Sequence, residues 1–82
     1  MEIIPGKLYR IDTPLWFSEY PLNYKGPAHF ISKNEYIMCL KYGMSFDNIT
    51  KHHFETLICM RYNKLFIITR YINTLAVCLK QV

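Results

Sequence analysis

Residues 56–69 read TLICMRYNKLFIIT, two short runs rich in β-branched and aromatic side chains on either side of Asn63-Lys64. Asn enters the positive-φ region that a tight two-residue turn requires, so this stretch reads as an antiparallel hairpin. A continuous helix through Ile67, Ile68 and Thr69 would place three β-branched residues in succession and restrict their χ1 rotamers, which disfavours it. Tyr71-Ile72-Asn73-Thr74 then breaks the run, and residues 75–82 resume as a short apolar strand. The apolar stretch 65–79 is interrupted by Arg70 and Asn73 and falls short of the roughly 18 to 20 residues a membrane helix needs, so no membrane partner is expected.

The remainder follows from turn chemistry. Pro5-Gly6 marks a turn, residues 7–11 partly alternate as a first strand, and Pro14 ends it. Residues 12–34 carry Pro14, Pro21, Gly26 and Pro27 and read as one long connection, packed down by Trp16, Phe17, Tyr20, Tyr24, His29 and Phe30. In residues 35–42, EYIMCLKY, two signals compete. Ser32 with Glu35 has the form of a capping box and Gly43 is placed to end a helix; yet the segment is short and apolar on all sides, which favours a strand. Residues 43–55, GMSFDNITKHHFE, read as a polar connection with room for a helical turn.

An 82-residue chain is the size of one domain, residues 1–82, near the lower end of what a core supports without metal or disulfides. Its hydrophobic fraction of 51% supplies the apolar surface for order over nearly the whole length. Cys39, Cys59 and Cys78 cannot all pair within the chain and each lies in an apolar stretch, which fits reduced, buried thiols in a cytoplasmic protein. The start of the chain, MEIIPGKLYR, has no basic segment leading into an apolar one, so no secretory signal is expected. The formal net charge of +4 favours acidic partners, but the ten Lys and Arg residues are scattered and read as a solvated surface.

From PGKLYRI through EYIMCLKY and the hairpin to YINTL and AVCLKQV, the order of elements resembles an SH3-like small β-barrel. The resemblance implies an all-β fold of about five strands with a long aromatic first loop, and a turn at YINTL before the closing strand. A closed barrel would remove exposed sheet edges and let a few inward residues per strand share one core. The expected core is Leu8, Ile11, Ile37, Cys39, Leu57, Cys59, Phe66, Ile68, Leu75 and Val77.

The motifs for chemistry are weak. No C-x-x-C or H-x-x-x-H spacing occurs, so no metal is expected, and no Gly-rich phosphate loop, nucleophile elbow or paired-acid motif suggests a cofactor or catalysis. A non-enzymatic protein is expected. SH3-like barrels commonly bind peptides on aromatic faces beside the first long loop; by position, Trp16, Phe17, Tyr20 and Tyr24, with Tyr42 or Phe46 from the second loop, are the candidate partner-binding residues. The same aromatics would instead enlarge the core if the loop folds onto the barrel. The alternative class is nucleic-acid binding, with Tyr9, Arg10, Tyr62, Lys64, Arg70 and Tyr71 as stacking and phosphate-contacting residues. Self-association as a homo-oligomer is a third expectation, because exposed Tyr, Phe and Ile favour it.

Ile, Lys, Asn, Tyr and Phe make up 34 of the 82 residues, and their codons are dominated by A and T. This composition and length resemble the small accessory proteins of AT-rich bacteriophages. That resemblance implies a protein-binding modulator or inhibitor of a host protein, acting in the host cytoplasm.

Overall fold

The computed structural model describes residues 3–20 and 26–82. Its elements are β1 (Leu8–Ile11), β2 (Leu15–Glu19), β3 (His29–Ile31), β4 (Tyr36–Asp47), β5 (His52–Arg61), β6 (Lys64–Tyr71), a single helical turn α1 (Leu75–Cys78) and β7 (Leu79–Gln81). All strand pairs are antiparallel, in the order β3-β2-β6-β5-β4-β1-β7. The sheet curls into a half-barrel around one core. The expectation of an all-β chain holds, while seven strands replace the expected five. Closure is incomplete, because β3 and β7 each pair on one side only.

The β5–β6 hairpin forms as expected, with its turn one residue earlier. Arg61 pairs with Lys64, leaving Tyr62 and Asn63 as the two loop residues, at φ 51° and 61°. Two consecutive positive φ values match the twist of the flanking strands. The capping-box signal is also real, but it closes a turn instead of starting a helix. The Glu35 carboxylate accepts the Ser32 N–H at 2.6 Å, Asn34 takes φ 72°, and β4 begins at Tyr36 as a strand.

Residues 43–55 are not a loop. β4 runs on to Asp47, and β5 begins at His52 after a turn in which the Asp47 side chain accepts the Ile49 N–H at 2.8 Å and its carbonyl accepts the Lys51 N–H at 2.8 Å. Asp readily closes such turns through its own side chain. Nor are residues 12–34 one connection. Within LWFSE, Leu15 and Phe17 point into the core and Trp16 points out, and β2 pairs with β3 on one side and β6 on the other. Period-2 alternation is hidden there because the outward residue is as apolar as its inward neighbours.

Inward residues Tyr9, Ile11, Leu15, Phe17, Ile31, Ile37, Cys39, Leu57, Cys59, Phe66 and Ile68 meet Leu75, Cys78 and Leu79. Two expected core members lie outside. Leu8 is exposed because Tyr9 and Ile11 set the inward parity of β1. Val77 is 72% exposed because residues 75–78 are a helical turn, where Leu75 and Cys78, three apart, share the buried side. This turn begins at Leu75, the last residue of YINTL, and takes up three further residues, so the closing strand is only Leu79–Gln81. In β4 the register shifts between Cys39 and Lys41, which makes Leu40 the extra residue of a bulge. The bulge changes parity, so Tyr42 lies opposite inward Leu57.

Candidate functional site

Trp16 is 60% exposed although it sits in the middle of a strand. Leu15 and Phe17 anchor β2 from below, which leaves the indole standing on the outer face of the sheet. Phe30, directly opposite on β3, meets it with ring centroids 5.0 Å apart. On the other side lies a shallow cleft of about 310 Å³ whose walls include Trp16, Phe54, Thr69, Arg70 and Tyr71. Phe54 and Tyr71 are a directly opposed pair in the β5–β6 ladder, stacked at 5.1 Å and 25°. The His52 ring then packs its edge against Tyr71 at 5.4 Å. The Thr56 and Thr69 hydroxyls sit 3.1 Å apart on the same pair of strands. Together these residues form an aromatic shelf across β3, β2, β6 and β5, with Arg70 among the residues that line its cleft.

Of the residues singled out from sequence for partner binding, the shelf contains Trp16. Phe17 is in the core. Tyr20 is exposed just past β2, where its N–H donates to the Leu65 carbonyl, toward the other end of β6. Tyr24 lies outside the described residues. Phe46 is exposed near the β4–β5 turn with its ring 4.8 Å from that of His53. Tyr42 is on the inner side of the sheet. Sequence reading missed Phe30, Phe54 and Tyr71 as shelf members, yet one signal was present: a two-residue turn at 62–63 places 54 opposite 71.

The nucleic-acid candidates divide as well. Tyr9 is fully buried, and its hydroxyl accepts the Ile4 N–H at 2.7 Å. Arg10 is on the outer face of β1, Tyr62 and Lys64 are at the β5–β6 turn, and Arg70 is at the far end of β6.

A second concavity of about 600 Å³ opens where the inner side of β4 and β5 meets the segment before α1, and its walls include Ile3, Tyr42, Glu55, Ile72 and Ala76. Glu55 is 1% exposed. Its carboxylate accepts the Tyr42 hydroxyl and, at 2.6 Å, the Leu75 N–H at the start of α1. Burial, and then this bond to a carboxylate, push the Tyr42 phenol up to about 12. The carboxylate is engaged in joining α1 to the sheet. Among the described residues no group of three His, Cys, Asp or Glu side chains converges as a metal site, and no helix is long and apolar enough to cross a membrane.

Comparison with protein-family models, curated proteins and solved structures finds no match to this chain.

Proposed function

We propose that this protein is a non-catalytic binding module that docks a segment of a protein partner on the Trp16 shelf. The observation that carries the reading is the Trp16 indole, 60% exposed yet flanked by Phe30 on one side and the Phe54–Tyr71 stack on the other. An exposed aromatic cluster beside a cleft that Arg70 helps to line has the make-up of an interface centre, where Trp, Tyr and Arg dominate binding energy. A monomer gains little by holding that much aromatic surface in water.

The finer reading is an SH3-like barrel left open between β3 and β7 and encoded by a phage to modulate a host protein. Its support is the AT-coded composition and the order of elements. Three buried, free thiols suit the reducing host cytoplasm.

Trp16 is the sole tryptophan, so its fluorescence reports the site directly. A tagged protein is exposed to host lysate after nuclease treatment, and retained proteins are identified over a salt series. The expected result is one protein held in high salt by the wild type and lost with Trp16→Ala and Tyr71→Ala, whose purified form blue-shifts the Trp16 emission on mixing. Retention that is unchanged in both variants removes the shelf as the site.

A further inference from the structure

The end of the sheet away from the shelf holds a second arrangement. Arg10 of β1 stands directly opposite Tyr36 of β4 on one side and Lys80 of β7 on the other, so Lys80, Arg10 and Tyr36 form one cross-strand row on the outer face. Tyr62 is brought to the same end by Arg61. That guanidinium pairs with the carboxylate of Glu35, the residue before Tyr36, and also lies over the Tyr62 ring at 4.6 Å. Tyr36 is 51% exposed and Tyr62 80% exposed. Lys64 follows two residues after Tyr62.

The cations of this end are unspent. Among the described residues neither Arg10, Lys64 nor Lys80 meets a carboxylate, and the buried Arg10 Nε has no acceptor. Tyr62 takes φ 51° as the two-residue hairpin turn requires, and its ring stays in solvent. The row sets one exposed aromatic beside two unpaired cations, and Tyr62 and Lys64 stand at the same end of the sheet; exposed aromatic faces near free cations are what a flexible polyanion with π-faces requires.

We propose that this end of the sheet binds single-stranded nucleic acid, with Tyr36 and Tyr62 stacking on bases while Arg10, Lys64 and Lys80 meet phosphates. A duplex keeps its bases stacked on one another and offers no free face to the tyrosines, so the site selects single strands. The net charge of +4 adds long-range attraction. This site is separate from the Trp16 shelf: Tyr62 and Lys64 are at one end of the eight-residue strand β6, and Tyr71 is at the other.

The test is fluorescence anisotropy of a labelled oligothymidine of about 16 nucleotides at low salt, with a duplex of equal length and polyglutamate as competitors. The single strand binds, and the duplex and polyglutamate compete poorly. Three phosphate contacts give a slope of log K against log salt of roughly −2. Tyr36→Ala and Tyr62→Ala each weaken binding roughly 5- to 100-fold, and Tyr62→Phe restores it. Thermal melts confirm that the variants fold, and Trp16→Ala leaves oligothymidine binding unchanged. Absence of binding at low salt overturns the proposal, and so does equal competition by duplex or polyglutamate. Loss on Arg10 or Lys80 substitution with no effect of the tyrosine variants overturns it too, since that outcome describes a general polyanion surface.

Discussion

The Tyr42 hydroxyl donates to the carboxylate of Glu55, and that same carboxylate accepts the Leu75 N–H, so one buried acid joins β4, β5 and the helical turn α1. Glu55→Ala leaves both donors without an acceptor. At about 1–3 kcal/mol for each orphaned buried donor, the expected loss is about 3 kcal/mol in urea unfolding. Tyr42→Phe added to Glu55→Ala costs little more, because the two changes remove one interaction; additive losses would show that the residues act independently.

Alkaline pH tests the same pair. The folded-state value of Tyr42, about 12, lies above the ordinary tyrosine value of about 10. Its neutral form is therefore favoured by folding. That contribution is whole below pH about 10 and is lost as pH rises through about 12. Melting temperature measured against pH should fall more steeply over this window for the wild type than for Tyr42→Phe. Parallel curves would remove Tyr42 as the cause.

Acid pH probes the turn before β4. The Ser32 N–H, and then the Arg61 guanidinium, hold the Glu35 carboxyl below its ordinary value of 4.5. Folding thus favours the ionised form, and the stability it contributes is present above pH about 4.5 and lost as pH falls through the folded value. Wild type is expected to lose more melting temperature on acidification than Glu35→Gln. If both fall together, the pair adds nothing measurable, as many surface ion pairs do.

The thiols report opening of the core. Cys39 and Cys59 oppose each other across β4 and β5, and Cys78 is on the buried side of α1. Burial raises Cys39 and pushes Cys59 up to about 12, so neither offers thiolate at neutral pH. A disulfide reagent should label no thiol in the native protein at pH 8 and three in denaturant. Fast labelling of one thiol in the native state would mean that its strand opens locally.

Neighbouring aromatics in β2 should respond in opposite ways. Phe17→Ala empties a core position and should cost about 3–5 kcal/mol. Trp16→Ala removes an exposed ring and its contact with Phe30, at under about 1 kcal/mol. Urea denaturation of the two variants decides it; a large loss for Trp16→Ala would make the indole a structural residue.

The candidate shelf was only partly legible. Trp16 stood out as the lone tryptophan in a proline-bounded stretch, but Phe30, Phe54 and Tyr71 lie 14 to 55 positions from it in the chain. They converge through the β2–β3, β2–β6 and β5–β6 registers. Placing the turn at 63–64 instead of 62–63 also shifts every partner by two residues, which keeps the faces but sets Phe54 opposite position 73 instead of Tyr71.

Local chemistry alone determined that this chain builds an antiparallel sheet. β-branched runs, an Asn turn and short apolar segments act over a few residues, and they sufficed for the β5–β6 hairpin, for β4 as a strand and for most of the core. Tertiary structure decided the rest. Whether LWFSE is loop or strand depends on β6 being available to pair with it. Which of Leu8 and Tyr9 faces inward depends on the partner β4, and the bulge at Leu40 turns Tyr42 toward Glu55. In a sheet each residue's side is set by strands distant in sequence, so a stretch that is apolar on both faces carries no local mark of which face becomes the core.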